Sequence, residues 1–315
     1  MNASAPAEVK MKVKVRRGDR VFATSTVVAG SLILALLAAT AIFLVVESLP
    51  ALSANPKLLP GAPANVWAYV APLAFGTVWA GLLAMLIALP LSIGIALFIT
   101  HYAPRRIAQA LGYVIDLLAA VPSVVFGLWG IAVLAPAVLP LYDWLVKTLG
   151  WIPLFTGPVS ATGRTILTAA IVLAVMVIPI ITALCREVFL QTPVLHEEAA
   201  LALGATRLEM IQVAVLPFGR SGIISAAMLG LGRALGETMA VALVLSPALV
   251  INFALLTSNN PSTIASNIAL TFNEATGIGL NALVTTGLVL FVITLIVNLG
   301  ARYAVNRRKA FSGAN

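Results

Sequence analysis

Six stretches of this chain, 21–46, 70–100, 107–139, 165–184, 221–250 and 281–303, are predominantly apolar over at least the length of a membrane crossing. A helix needs about 20 such residues to traverse about 30 Å of hydrocarbon, and lipid offers a backbone amide no partner outside its own helix. Each stretch is therefore expected to be a transmembrane helix, and the fold class to be an all-α integral membrane protein with six spans. Of the 315 residues, 61% are hydrophobic and 10% charged, against about 25% charged in an ordinary soluble domain. So few charges cannot cover a water-facing surface, which excludes a cytosolic globular domain, a disordered tail protein and a secreted disulfide scaffold. The single cysteine, Cys185, allows no internal disulfide and sits in an apolar run without metal-ligand spacing, so neither a metal nor a cofactor is expected. Several runs exceed the minimum length and are expected to tilt, kink or bend at Pro90, Pro122 and Pro179.

The formal net charge of +8 would point to nucleic acid in a soluble chain, but in a membrane protein the distribution of charge over the loops decides. Lys10, Lys12, Lys14, Arg16, Arg17 and Arg20 precede the first run, Arg105 and Arg106 follow the second, and Arg186, Arg207 and Arg220 follow the fourth. Arg302, Arg307, Arg308 and Lys309 lie at the end of the sixth. The opposite loops hold only Lys57, Lys147 and Arg164. The positive-inside rule then places both termini in the cytoplasm, with a basic tail over 1–20, a membrane domain over 21–303 and a short tail over 304–315. No nucleic-acid partner is expected. Trp67, Trp144 and Trp151 are placed as interfacial anchors. The alternative at the N-terminus is a cleaved signal peptide ending at Ala38-Ala39-Thr40-Ala41, but the run is about 26 residues, against 7–15 for a signal-peptide core.

The longest inner connection runs over 186–220. Strong helix formers occupy 197–202, Gly204 is a break or C-cap, and a second helical stretch over 206–215 sets Leu208, Ile211 and Val215 on one face before Pro217 ends it. On periodicity alone the segment is either a cytoplasmic knob of two short helices or an amphipathic connector lying in the interface. Its order decides more. Glu198-Ala199-Ala200, three residues, Gly204, eleven residues and Leu216-Pro217 resembles the EAA motif of ABC importer permeases, with Ala214 where that family has isoleucine. The resemblance implies that this loop is the coupling helix, seated in a groove of an ATP-binding subunit, and that force from ATP-driven closure enters there. No G-x-x-x-x-G-K-[ST] phosphate cradle occurs in the chain, so a partner would hydrolyse the ATP. No nucleophile constellation is present either.

The fifth run contains Gly232-Arg233-Ala234-Leu235-Gly236-Glu237-Thr238. A basic residue near the bilayer centre costs about 2.5–3.5 kcal/mol on insertion scales and usually has a function or a partner. Arg233 and Glu237 are four apart and are expected to share a helix face, where they could form an internal ion bridge while Gly232 and Gly236 allow close helix packing. The functional alternative is that Arg233 meets an oxyanion, two of whose oxygens one guanidinium can hold, and that Glu237 occupies Arg233 when the path is empty. Monohydrogen phosphate carries a proton that the Glu237 carboxylate can accept, whereas sulfate at neutral pH has none.

Gly232 to Val241, with its Glu237-Thr238-Met239-Ala240-Val241 continuation, resembles the phosphate-specific ABC importer permeases. So does Ile115 to Gly130, which contains Val121-Pro122-Ser123. Gly18-Asp19-Arg20-Val21-Phe22 and Val46-Glu47-Ser48-Leu49-Pro50 favour the PstC type over its PstA-type partner, and the resemblance runs from about 18 to 308. It implies a type I ABC importer permease fold in a bacterial cell membrane, catalysing no covalent chemistry of its own. The implied partners are a second homologous permease, two ATP-binding subunits and an extracellular phosphate-binding protein, with inorganic phosphate as cargo. Candidate translocation residues are Arg233, Glu237, Ser123 and Thr238. Candidate coupling residues are Glu198, Ala199, Ala200, Gly204, Leu216 and Pro217. At Pro122 either a simple kink or an unwound turn offering amide donors is open. Asp116 is expected to be a polar contact between helices, Arg164 and Glu274 to be solvated loop charges, and His101 and His196 to need no special role. Sulfate and molybdate permeases have a similar R-x-x-G-E run, so another oxyanion is the alternative within the class. Outside it stand an ion-coupled secondary transporter and an intramembrane enzyme.

Overall fold

The computed structural model describes residues 17–309, so most of the expected N-terminal tail and residues 310–315 lie outside the described residues. The chain divides after Val46. The first unit is helix α1 (Arg17–Leu52), apolar on every side and therefore suited to lipid. Several of its hydroxyls bond within the helix: Thr24 donates to the Arg20 carbonyl (2.8 Å) and Thr40 to that of Leu36 (2.9 Å). Residues 47–52, at the end of that helix, belong to the second unit.

In the second unit, α2 (Val66–Leu97) starts at Asn65, whose side chain accepts the Ala68 N–H (2.8 Å), and ends in a π turn, Phe98–Tyr102. Helices α3 (Arg105–Ala119) and α4 (Ser123–Trp129) follow, and α4 continues through a π turn into α5 (Ala135–Ala137). The two halves, Arg105–Ala119 and Ser123–Ala137, meet at 93°. The run over 107–139 is thus two helices meeting at a sharp bend, a broken span or a re-entrant loop, and not one kinked helix. Pro122, extended at ψ 138°, donates no N–H and interrupts the helical ladder between them. Helix α6 (Leu139–Leu149) carries the exposed Trp144.

Helix α7 (Ile166–Leu190) is the hub. Its Leu173, Met176, Val177 and Ile181 are buried together with Ala80, Ala84 and Ala88 of α2, small residues that let the two helices approach. Cys185 is buried in the same core. After α8 (Val194–Ala202) and α9 (Arg207–Met210), a π turn at Ile211–Val215 runs straight into α10 (Leu216–Leu235). Pro217 therefore begins α10 and does not end the preceding helix. The Leu216 N–H bonds to the Ile211 carbonyl, and the proline falls in the first turn of the new segment, where its missing N–H costs least.

The fifth span lies earlier in the chain than its hydropathy suggests. It runs Arg207–Leu235 and stops well before Val250. Beyond it lie α11 (Met239–Val244), strands β1 (Pro247–Ala248) and β2 (Asn260–Pro261), α12 (Ile264–Thr271) and α13 (Ile278–Lys309). The strands pair in parallel, Pro247 opposite Asn260. Buried Asn260 accepts the Ile166 N–H (3.0 Å) and donates to the Arg164 carbonyl (3.2 Å). Arg164 is therefore not a solvated loop charge, because its guanidinium donates to the Leu245 carbonyl at 2.8 Å. Thr77 of α2 accepts the Ile264 N–H (2.9 Å) and fixes the start of α12. Among the described residues five helices are long and apolar enough to cross a membrane, or six spans when the bent pair counts as one.

Candidate functional site

Arg233 lies in the last turn of α10, and its guanidinium has neither a hydrogen bond nor an ion pair among the described residues. It faces a cavity of about 700 Å³ between α7, α10 and α13, lined by Ile180, Ser225, Met228, Gly232, Asn298 and Arg302, among others. An unpaired cation at the mouth of a largely aliphatic cavity is the arrangement expected of a residue that waits for an anion.

The expected Arg233–Glu237 bridge does not form. Spacing of four places two side chains on one face only while the helix continues, and α10 stops at Leu235. Glu237 turns away and is buried, its Oε1 accepting the Ala240 N–H (3.0 Å) at the start of α11. Its Oε2 accepts no hydrogen bond among the described residues. Thr238 precedes α11, and its carbonyl accepts the Ala242 N–H at 3.0 Å. Ser123 opens α4, which packs against α11 so closely that a Cβ on Gly127 would stand 2.7 Å from the Ala240 Cα. Glu237, Thr238 and Ser123 thus belong to the α4–α11 pair, whereas Arg233 alone of the four lines the large cavity. Close helix contact also falls elsewhere than expected. Gly232 has open space around it, and it is Gly230 that admits Ile181 of α7, with 2.6 Å from a notional Cβ to Cδ1.

The loop over 186–220 folds as two helical pieces around Gly204. That residue sits at φ +87°, and the Gly204 and Ala205 amides bond back to the Leu201 and Ala200 carbonyls (2.9 and 3.2 Å), a Schellman turn. Thr206 and Glu209 then cap α9 reciprocally. Glu198 and Ala199 are exposed, Ala200 and Leu216 half-buried and Pro217 exposed. Leu195, Leu203 and Leu208 are exposed too, Leu203 at 90%. Such uncovered leucines mark a surface suited to burial against another protein or the membrane interface. His101 has a role after all: its Nε2 lies 3.5 Å from Glu197 Oε1, and its carbonyl accepts from Arg207 Nη1 at 3.3 Å, tying the loop to the end of α2.

Residues 88–310 match the family of binding-protein-dependent transport system inner membrane components. The chain belongs to this family. It is 46% identical over 309 residues to the phosphate transport system permease protein PstC 2 of Mycobacterium tuberculosis, covering 94% of this chain and 95% of that one. It is 45% identical over 308 residues to the PstC protein of Mycobacterium leprae, covering 94% and 96%. The Xylella fastidiosa (strain Temecula1) PstC protein is 45% identical over 238 residues, covering 74% of this chain and 72% of the relative. As an inner-membrane transport component, the chain is a multi-pass membrane protein with five or six candidate spans among the described residues.

Sequence reasoning missed Asn298 and Arg302. Arg302 was assigned to the positive-inside count. The signal that singles it out is Asn298, one turn earlier on the same face and itself preceded by the apolar stretch 287–293.

Proposed function

We propose that this chain is a permease subunit of an ATP-driven importer of inorganic phosphate. It works beside a second, homologous permease, with two ATP-binding subunits at the loop over 186–220 and a phosphate-binding protein on the opposite face. Both termini are cytoplasmic on this reading, since the basic residues concentrate on that side. The observation that carries the proposal is the unpaired Arg233 guanidinium in a cavity of a chain whose relatives at 45–46% identity are named phosphate transport permeases.

Phosphate released outside would meet Arg233, whose planar fork can hold two of its oxygens. The buried Glu237 carboxylate keeps one oxygen on α11 and has the other free to accept the proton of monohydrogen phosphate, which sulfate lacks. ATP-driven closure of the partner subunits would act on Glu198, Ala199, Ala200 and Gly204 and pass along α9 and α10 through Leu216 and Pro217. Ser123 and Thr238 would flank the path from the α4–α11 side. The second reading, import of sulfate or molybdate, stays in view because those permeases share the R-x-x-G-E run.

Labelled phosphate uptake in cells lacking the chain, and in cells with it restored, tests both readings. Rescue that sulfate and molybdate do not inhibit supports phosphate, and uptake that sulfate suppresses discards it. Arg233→Ala should abolish rescued uptake while the chain still reaches the membrane. Full uptake in that variant would remove Arg233 from the path.

A further inference from the structure

The cavity that Arg233 faces has a second cationic wall. Asn298, Ala301, Arg302 and Val305 stand at i, i+3, i+4 and i+7 and so share one stripe of α13. On α10, Ser225, Met228, Gly232 and Arg233 line the opposite side. The Arg302 guanidinium and the Asn298 amide make no hydrogen bond or ion pair among the described residues. Two guanidiniums thus line one largely aliphatic cavity, and neither has an acceptor of its own among the described residues. Around them α13 is apolar, with Leu295, Ile296 and Leu299 exposed. A residue that merely snorkels at the end of a span needs no second cation across a cavity and no unbonded amide one turn deeper. A dianion between them would supply what all three groups lack. The space suffices: about 700 Å³ is the volume of about twenty water molecules, room for a tetrahedral oxyanion with much of its hydration.

We propose that Arg302, helped by Asn298, is a substrate-binding residue that holds inorganic phosphate against Arg233 in the α7–α10–α13 cavity. This rests on the phosphate reading above. It adds a step to it: phosphate leaves Arg233 not directly into water but along a polar stripe of α13. The same two guanidiniums could take the phosphate of a lipid headgroup, so the test separates the two sources.

The complete importer, purified with its partner subunits in a phosphate-free maltoside detergent, would carry Ala301→Cys as a reporter inside the cavity, the native Cys185 being buried. Labelling by a sulfonate-bearing thiol reagent is timed against added inorganic phosphate, sulfate or phosphatidylglycerol. Phosphate should slow labelling, and Arg302→Gln should raise the phosphate concentration needed by about tenfold or more, as loss of a charge-assisted contact requires. Arg302→Lys should restore part of the protection, because lysine keeps the charge without the fork. A cationic thiol reagent should still label Arg302→Gln, which shows the cavity intact. Unchanged phosphate protection in Arg302→Gln overturns the role of Arg302 and leaves the phosphate reading standing. Sulfate protecting at lower concentration than phosphate, with Arg302→Gln weakening both, supports the two-arginine site and refutes phosphate as cargo. Protection by phosphatidylglycerol with none from phosphate overturns the proposal in favour of a lipid site.

Discussion

Gly204→Ala isolates the contribution of one backbone angle to the loop between α8 and α9. Nothing lies within 4 Å of a notional Cβ at Gly204, so the substitution meets no steric obstacle from neighbours. What remains is the left-handed conformation at φ +87°, which costs an L-residue about 1–2 kcal/mol. That cost should appear as opening of the Schellman turn, because the Gly204 and Ala205 amides bond to the Leu201 and Ala200 carbonyls only while that angle holds. A cost of about 1–2 kcal/mol multiplies the open population roughly 5- to 30-fold. Amide hydrogen exchange at Ala205, measured by mass spectrometry on the purified transporter, should accelerate by that factor in Gly204→Ala. Gly204→Asn, which tolerates the left-handed region, should show a smaller rise. Equal rates in the wild type and both variants, or a larger effect for asparagine than for alanine, would refute the argument. ATP-driven uptake should fall in the same order if the turn presents the loop to an ATP-binding subunit.

Glu237→Gln keeps an oxygen for the Ala240 N–H and removes the proton-accepting carboxylate, so thermal stability should hold while sulfate begins to compete with phosphate for uptake. Glu237→Ala also loses the cap, about 1 kcal/mol, and should lower the apparent melting temperature. Uptake falling evenly for every anion in Glu237→Gln would end the idea that this carboxylate discriminates between them. Gly127→Ala drives a methyl group to 2.7 Å from the Ala240 Cα, a backbone-anchored atom, and should destabilise the α4–α11 contact by about 1–3 kcal/mol in a melting experiment. An unchanged melting curve would mean that these helices are not packed as described. Asn260→Ala strands the buried Ile166 N–H and the Arg164 carbonyl, at about 1–3 kcal/mol for each unsatisfied group. Exchange at Ile166 should rise accordingly, and wild-type protection there would contradict the role of Asn260.

The spans were legible because α1, α2, α7 and α13 are long, apolar and uninterrupted, which is all that hydropathy measures. The helix break at Gly204 was legible too, as glycine has few other uses after a run of helix formers, although the capping box of Thr206 and Glu209 that follows it was not read. Hydropathy could not register the 93° bend, because both arms are apolar and a reversal of direction leaves the window average unchanged. It overran α10 for the same reason: 236–250 stays apolar after the helix has stopped at Leu235. The Arg233–Glu237 bridge failed as a consequence, since its inference assumed an intact helix. Pro217 misled in the opposite direction. A proline ends a helix when its N–H is needed, but a π turn just ahead of it shifts the register so that none is. Arg164 could not be placed from sequence, because its acceptor, the Leu245 carbonyl, is 81 residues away.

The absence of a terminator at Pro217 also matters mechanically. From Arg207 to Leu235 the backbone is one rod of 29 residues, about 43 Å at 1.5 Å per residue. Its lower end is built into the loop, and its upper end carries Arg233. A flexible joint between loop and span would let the loop move while the guanidinium stayed still. A rod does not allow this: tilting it by a few degrees at the base sweeps the tip through ångströms, and turning it about its axis changes the direction in which the guanidinium points. The rod departs from regular α geometry at the π turn over Ile211–Val215. Because a π turn holds one extra residue, the segment above it is set about 100° around the axis from where a regular helix would put it, and that offset fixes the direction of the guanidinium.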